Sequence, residues 1–187
     1  MEILKSIKGH IRNIWIQSMT QSEYQKYLRN KGVKIGEGCW IDKTAMFGSE
    51  PWLITIGNNV RITKNVQFIT HDGGLWTLRN MGLIEKKAVK YGRIIIKDNC
   101  NVSWNTVIMP NVTIEENCVV AVGAVVTKDT EPNSVLGGVP AKRIESVFEY
   151  KDKIINYCVP TFFMTNEEKR CYLKEERPDL FDEEEKL

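Results

Sequence analysis

The sequence predicts a mainly β fold in which short parallel strands coil into a solenoid. From residue 96 the chain divides into hexads, IKDNCN, VSWNTV, IMPNVT, IEENCV, VAVGAV and the shorter VTKDT. The first residue of each hexad is aliphatic, and the fifth, where we expect the chain to bend inward, is small or short. An α-helix repeats about every 3.6 residues and a simple strand every two, so neither explains a period of six. A short strand followed by a turn, three times per coil, does explain it.

The same register runs upstream, with two interruptions. Two hexads from Ile35 lead to Phe47, and two more from Ile56 lead to Phe68. A sandwich of short strands is the alternative, but sandwiches seldom keep one register over so many residues. We therefore expect a coil over residues 33–143, with a loop excursion at 73–93 and with helical segments at 1–32 and 144–187.

Composition and charge exclude several functional classes. A net charge of +2 argues against a nucleic-acid-binding protein, which would carry a basic stripe. No long apolar run and no signal peptide are visible, so we expect a cytoplasmic protein.

Three of the five cysteines, Cys39, Cys100 and Cys118, occupy the fifth hexad position, which predicts small core residues in a reducing compartment. No metal-ligand spacing is present, and we expect no metal.

The two ends of the chain are predicted to be helical. Apolar residues recur at helical spacing in residues 1–18, and Ser22 is expected to cap a second helix that ends near Asn30. This segment suits a lid over the open end of the coil, or a weak membrane-surface contact through its basic first helix. At the other end, we expect a helix from Ile144 and a short one capped by Asn166.

The candidate catalytic residue is one of two histidines. His71 ends the second coil, directly before the glycine-rich excursion, whereas His10 is expected to be a surface residue of the first helix. The excursion carries Trp76 and Arg79 and suits a cover over a site, or a contact between the subunits of a trimer. A histidine at such a corner suits a general base.

The hexad register predicts which side chains lie beside His71. Glu50 and His71 each follow, by three residues, the phenylalanine that ends a coil, so we expect them to stack about 4.8 Å apart. Either Glu50 or Asp72 is expected to accept a hydrogen bond from one imidazole nitrogen and so leave the other free to take a proton. Asn111 occupies the same column one coil later. No motif for a covalent nucleophile is present. Any reaction is therefore expected to be a direct transfer to an acceptor that His71 activates, without a covalent enzyme intermediate.

The hexads, the Thr-His-Asp at residues 70–72 and the segment VVAVGAVVTKDTEPNSVLGGVPAKRI together resemble the hexapeptide-repeat acyltransferases. The similarity is to the O-acetyltransferases of capsule and lipopolysaccharide synthesis, and to the branch with galactoside, maltose and xenobiotic acetyltransferases. It implies a left-handed parallel β-helix, a homotrimer with active sites between subunits, and acetyl-CoA as the acetyl donor.

The resemblance also implies roles for individual residues. It makes His71 catalytic, and it places the following positions along the groove for coenzyme A: Trp104, Ala121, Val122, Gly123, Thr127, Lys128 and Lys142. From their placement, we expect Trp76, Arg79 and Asn111 to contact the acceptor.

We therefore expect an acetyl-CoA-dependent O-acetyltransferase that modifies a carbohydrate hydroxyl, in surface polysaccharide synthesis. Two alternatives stay open. The same fold can acetylate the amine of an amino sugar or an antibiotic, and a coil without catalysis can serve as a scaffold.

Overall fold

The computed structural model describes Ile11 and residues 14–182. Most of the predicted first helix, with His10, and the acidic residues 183–187 lie outside this part of the chain. The chain forms two compact units, Met1–Tyr150 and Lys151–Leu187. The first unit contains every strand that is described.

The strands are short, mostly two or three residues long, as a hexad repeat requires. In chain order they are β1 (Lys34–Ile35), β2 (Trp40–Ile41), β3 (Ile54–Ile56), β4 (Arg61–Ile62), β5 (Gln67–Phe68), β6 (Ile94–Ile96), β7 (Asn101–Val102), β8 (Val107–Ile108), β9 (Val112–Ile114), β10 (Val119–Val120), β11 (Val125–Val126), β12 (Ser134–Gly137) and β13 (Lys142–Ser146).

The strands form three sheets that the chain visits in rotation. Their orders are β1-β3-β6-β9, then β2-β4-β7-β10-β12-β13, and finally β5-β8-β11. Every pairing is parallel except that of β12 with β13. Asn101 pairs with Val119 and Val107 with Val125, three hexads apart in each case. The predicted coil of three hexads is therefore present.

The core consists mainly of the first and fifth residues of the hexads. Phe47 stacks on Phe68 one coil later, with ring centroids 4.8 Å apart. The predicted core cysteines Cys39, Cys100 and Cys118 are buried and free. The buried first-position residues are Ile41, Phe47, Ile56, Ile62, Phe68, Ile96, Val102, Ile108, Ile114, Val120 and Val126. Burial of apolar side chains along the whole axis therefore holds the coils together.

Asparagines in the left-handed region form the corners of the coil. Among the described residues, every non-glycine with a positive φ is an asparagine, and six of these seven are the fourth residue of a hexad. Asparagine tolerates this conformation better than other side chains. The residue that bends the chain is thus the fourth, not the fifth as predicted, and the fifth side chain turns into the core.

The corner asparagines also bond to each other from coil to coil. Asn59 donates to Asn99 over 3.2 Å, Asn99 to Asn117 over 3.0 Å, and Asn117 to Asn133 over 2.8 Å. Asn99 and Asn117 therefore each donate to the next coil and accept from the previous one. This ladder satisfies the polar groups of the corner while it fixes the register of the coils.

Helix α1 (Gln21–Asn30) lies over the first coil. Gln21 donates to the Ile41 carbonyl and Gln25 to the Cys39 carbonyl, at 3.0 and 2.7 Å. Its inner face also contributes buried tyrosine and leucine side chains to the core. The helix therefore covers carbonyl groups of β2 and of the preceding turn at the end of the coil.

The predicted cap of this helix is wrong. Thr20, not Ser22, is the N-cap, because its hydroxyl accepts from the backbone N–H of Glu23 while the Glu23 carboxylate accepts from the backbone of Thr20. This reciprocal pair is a capping box, which satisfies two backbone donors at the start of the helix.

The segment after the coil also departs from the prediction. Ile144 lies in β13, because residues 142–146 return along β12 as its antiparallel partner. Helix α3 (Val147–Ile154) begins only after that strand. In the second unit, Thr165 rather than Asn166 caps helix α4 (Asn166–Glu176), again through a capping box with Glu168.

The remaining helices are short. The excursion, predicted as a loop, contains helix α2 (Leu75–Asn80). Single 3₁₀ turns occur at Pro51–Leu53, Ile155–Tyr157 and Pro178–Leu180. Within residues 14–182, no helix has the length and the apolar character needed to cross a bilayer.

Substitutions of Asn99 test the role of the corners. Asn99→Ala loses the ladder and puts into the left-handed region a residue that tolerates it less well than asparagine, so the free energy of unfolding should fall by about 2 kcal/mol. Asn99→Gly keeps the backbone and should lose only about 1 kcal/mol. Denaturant titration measures both.

The control is Asn101 in strand β7, where the order should reverse and glycine should be the worse replacement. If alanine is tolerated at Asn99 at least as well as glycine, the left-handed corner does not determine the stability of the coil.

Candidate functional site

Glu50 and His71 lie at the same corner of successive coils. Glu50 follows Phe47 and His71 follows Phe68, so the stacked phenylalanines bring the two side chains together. The Nδ1 atom of His71 lies 2.9 Å from Oε2 of Glu50. The hydroxyl of Thr70 donates to the same oxygen at 2.6 Å. The register thus places a carboxylate against one nitrogen of the imidazole.

The environment keeps this carboxylate ionised. The Thr70 hydroxyl, and after it His71, lower the pKa of Glu50 below its ordinary 4.5. Because a carboxylate only accepts hydrogen bonds, the proton between the two groups belongs to Nδ1 of His71. Within residues 14–182 the structure gives Nε2 no hydrogen-bond partner. That nitrogen therefore carries a lone pair that can accept a proton.

Exposure differs between the two partners in a way that suits this chemistry. The side chain of Glu50 is 13% exposed and that of His71 is 44% exposed. A shielded carboxylate interacts more strongly with its partners than one in water. The imidazole itself stays accessible to a reacting group.

The end of the excursion is anchored beside His71. Tyr91 forms a β-bridge with His71, and Gly92 donates from its backbone to the Thr70 carbonyl at 2.8 Å. A Cβ on Gly92 would lie only 2.5 Å from the backbone nitrogen of Asn111, so glycine is required there. The returning chain thus packs between the His71 corner and the next coil.

Asp72 has a different role from the one considered above. Its carboxylate accepts from the backbone N–H of Gly74 at 2.9 Å, just before helix α2. Its own N–H donates to the Lys90 carbonyl. Of the two predicted acceptors, therefore, Glu50 is the one that bonds to the imidazole, and Asp72 shapes the start of the excursion.

Two cavities meet at His71. The first, of about 230 Å³, lies under the excursion and is lined by Glu50, His71, Asp72, Gly73, Arg79, Val89 and Tyr91. The second, of about 300 Å³, continues onto the later coils and is lined by Ile69, His71, Asp72, Gly73, Lys90, Met109, Pro110, Asn111 and Thr127. We call them the loop cavity and the coil cavity. Two larger cavities, of about 510 and 470 Å³, have no His71 in their walls.

The predicted acceptor residues are divided between these spaces. Arg79 lines the loop cavity, where its Nε donates to the Leu75 carbonyl at 3.3 Å. Asn111 lines the coil cavity and forms the corner there with φ 62°. Trp76 lines neither cavity, and its side chain is 70% exposed.

The predicted groove residues fall on two different corners. Thr127 lines the coil cavity at the His71 corner, and Lys128 is exposed beside it. Trp104 and Gly123 lie at the corner on the other side of sheet β5-β8-β11, where Gly123 donates to the Trp104 carbonyl at 2.8 Å. Lys64 lies over the Trp104 ring, 5.3 Å from its centroid.

The other predicted groove residues surround this second corner. Ala121 is partly buried and donates to the Leu136 carbonyl, and Val122 is 67% exposed. Lys142, exposed, begins β13. Among the residues that the structure describes, no group of acidic, histidine and cysteine side chains is arranged to hold a metal ion.

The lowered pKa of Glu50 predicts a pH-dependent contribution to stability. The ionised carboxylate stabilises the fold above its unfolded pKa, near 4.5, and this contribution is lost as the pH falls through the lower folded-state pKa. The difference in unfolding free energy between wild type and Glu50→Gln should be largest near neutral pH and shrink below about pH 4.5.

Denaturant titrations between about pH 7 and pH 3 measure this difference. Glu85→Gln, which removes an exposed carboxylate of the excursion, is the matched control. A difference for Glu50→Gln that does not change over this range would contradict the assignment of an ionised, hydrogen-bonded carboxylate.

Comparison with known proteins gives relatives for most of the chain. No protein-family model matches it. Protein CapG of Staphylococcus aureus is 39% identical over 166 residues, which are 87% of this chain and 94% of CapG. Galactoside O-acetyltransferase of Escherichia coli is 30% identical over 133 residues, 60% of this chain and 63% of that enzyme.

A solved structure extends the comparison to the fold. A hexapeptide-repeat-containing acetyltransferase of Vibrio cholerae superposes with a TM-score of 0.60 and 27% identity, over 78% of this chain and 92% of its own. A second structure of that protein is a complex with acetyl coenzyme A. With a shared repeat, a shared fold and sequence identity over nearly the whole chain, the protein belongs to the hexapeptide-repeat acetyltransferases.

Proposed function

We propose that this enzyme transfers an acetyl group from acetyl-CoA to a carbohydrate hydroxyl, in the assembly of a surface polysaccharide. The observation that carries the proposal is the accessible imidazole of His71, which borders two cavities and holds its Nδ1 proton against Glu50. Membership of the acetyltransferase family supports the donor, because a relative of known structure binds acetyl coenzyme A. A named relative that acetylates the oxygen of a galactoside supports the acceptor class.

The reaction is a direct transfer with His71 as the general base. The acceptor hydroxyl attacks the carbonyl carbon of the thioester while its proton passes to Nε2 of His71. Glu50 then stabilises the imidazolium through Nδ1. When the tetrahedral intermediate collapses, the C–S bond breaks, and the thiolate of coenzyme A takes the proton from Nε2. The base is thereby restored and the acetyl ester is released.

The two cavities suit the two substrates. Thr127, a predicted groove residue, lines the coil cavity, so the donor thioester belongs on that side of His71, beside Asn111. The acceptor then belongs in the loop cavity, where Arg79 and Tyr91 offer polar groups. Trp76, exposed on helix α2, stays a predicted contact for a part of the acceptor outside this cavity.

A trimer accounts for the division of the groove residues. Trp104 precedes strand β8 and Thr127 follows strand β11 of the same sheet. The two residues therefore lie at opposite ends of its strands and do not line one narrow groove within a single chain. In a threefold assembly, the Thr127 corner of one subunit meets the Trp104 corner of the next. Lys128 and Lys142 are exposed and available to bind the phosphates of coenzyme A as point charges.

The proposal extends to the finer architecture. We infer that the coil is left-handed, as in the family that the sequence resembles. Helix α1 acts as the cap of the coil, with the excursion at 73–93 as the acceptor cover, and the helical extension begins at Val147, after strand β13. A weak membrane contact of residues 1–18 remains a prediction.

Removal of the general base tests the mechanism. His71→Ala should lower the rate of acetyl transfer at least about a hundredfold, which is typical for loss of a general base. Release of the thiol of coenzyme A, measured with saturating acceptor, reports the rate. His10→Ala removes the other histidine and should leave turnover unchanged. Undiminished turnover in His71→Ala would exclude His71 as the base.

A panel of acceptors tests the substrate class. We expect thiol release with sugars that offer a hydroxyl, and a product whose acetyl group is removed by mild alkali, as an ester is. Amino sugars and antibiotics complete the panel. An alkali-stable amide as the main product would show that the enzyme is an N-acetyltransferase, and no turnover with any acceptor would favour a scaffold.

A further inference from the structure

Thr70 is a buried residue that makes an unusual contact. Its side chain is 1% exposed, and its hydroxyl lies 2.6 Å from Oε2 of Glu50. This is the same oxygen that receives Nδ1 of His71 at 2.9 Å. The backbone of Thr70 is fixed as well, since its carbonyl accepts from Gly92. One carboxylate oxygen thus joins a hydroxyl and an imidazole that are adjacent in sequence.

The other buried hydroxyls of the coil behave differently. Those of Thr63, Thr106 and Ser134 donate to backbone carbonyls, at 3.0, 2.7 and 3.3 Å. Such bonds complete the polar interactions of a turn or a strand. Within residues 14–182, Thr70 is the buried hydroxyl that donates to a charged side chain. Its position at the corner of His71 therefore calls for an explanation beyond packing.

We propose that Thr70 is a positioning residue: its hydroxyl holds Oε2 of Glu50 in the place where it fixes the Nδ1–H tautomer of His71. The kinetic part of this inference depends on the proposed function, and the structural part does not. A hydrogen bond to a carboxylate is short and strong, so it restricts rotation of the carboxyl group. With that bond in place, the imidazole finds its acceptor already oriented.

The hydroxyl also keeps Glu50 ionised. Among the causes that lower the pKa of Glu50, the hydrogen bond from Thr70 is the largest and that from His71 follows. The other titratable groups that face the same cavity are Asp72, Arg79 and Tyr91. Without the hydroxyl, Glu50 takes up a proton at a higher pH, and a protonated carboxyl no longer imposes one tautomer on the imidazole.

The chain makes the tautomer directly measurable, because it has only two histidines. In a His10→Gln background, long-range ¹H–¹⁵N spectra show one imidazole, that of His71. At a pH where the ring is neutral, we expect the Nδ1–H form to dominate. Thr70→Val, which keeps the shape and removes the hydroxyl, should shift the population towards the Nε2–H form, and Thr70→Ser should restore it.

Kinetics supply the second readout. Thr70→Val should lower kcat about tenfold, the factor expected from loss of one hydrogen bond to a charged group, and leave KM for acetyl-CoA unchanged. The activity should also fall more steeply with decreasing pH than in wild type, because Glu50 without the Thr70 hydroxyl takes up a proton at a higher pH. Thr70→Ser should recover most of kcat and the normal acid limb.

A matched control separates this role from packing. Thr63→Val removes a hydroxyl whose acceptor, the Val102 carbonyl, keeps its bond to the Thr63 N–H. It should lower stability without altering the tautomer or the acid limb. If Thr70→Val does not fold, Thr70→Ala removes the same hydroxyl with a smaller side chain and serves for both measurements.

Different results separate the two proposals. A normal tautomer in the folded Thr70→Val protein, or a Thr70→Ser protein as impaired as Thr70→Val, overturns the role of Thr70 and leaves the acetyltransferase mechanism intact. If the tautomer shifts as expected in Thr70→Val, the positioning role is supported. If the wild-type protein nevertheless transfers no acetyl group, the proposed function is overturned while the positioning role stands.

Discussion

Stacking of equivalent hexad positions in successive coils is the constraint on which the rest of the structure depends. Parallel strands repeat at a spacing of about 4.8 Å, so a residue lies directly over its counterpart one coil earlier. The stacked rings of Phe47 and Phe68 and the ladder from Asn59 to Asn133 show the two means of holding that register. Apolar contact fills the inside, and amide hydrogen bonds join the corners. A shift of one residue would break both at once.

The candidate site arises where this register is interrupted. The short insertion after Phe47 and the long excursion after Phe68 leave the coil at the same corner, between the third sheet and the first. The first interruption supplies Glu50, and the second begins at His71. Both are the fourth residue of a hexad, where the other coils mostly have a corner asparagine or glycine, and neither of these can transfer a proton. Departures from a consistent local pattern are expected at functional positions, and here two of them lie one above the other.

Much of this arrangement is predictable from the sequence, because counting in sixes needs no knowledge of side-chain contacts. It gives the coil, the buried first positions and the proximity of Glu50 to His71. The role of the fourth-position asparagines could also have been predicted, since they recur in six hexads. The capping boxes could have been predicted as well, because Thr20 and Thr165 each precede a glutamate by three residues.

Other features depend on tertiary contacts that no period reveals. Ile144 lies in a strand because β12 offers it an antiparallel partner, although its local pattern favours a helix. The choice between Glu50 and Asp72 depends on which carboxylate a nearby backbone N–H captures, and Gly74 captures Asp72. The contact of Thr70 is of the same kind: this threonine is the third residue of its hexad, a position for which the period predicts no burial, and the partner of its hydroxyl comes from the neighbouring coil.

The division between coil and excursion separates the proposed catalytic side chains from the segment proposed to contact the acceptor. Glu50, Thr70 and His71 are held by the coil, through the pairing of Met46 with Gln67 and the stacked phenylalanines beneath them. Arg79 belongs to the excursion, which contacts this corner through Tyr91 and Gly92 at its returning end. We therefore expect changes within helix α2 to reshape the loop cavity and to leave the imidazole and its carboxylate in place. In the proposed mechanism, a coil that fixes the base, together with a replaceable loop that covers it, would allow one proton-transfer apparatus to serve acceptors of different shape.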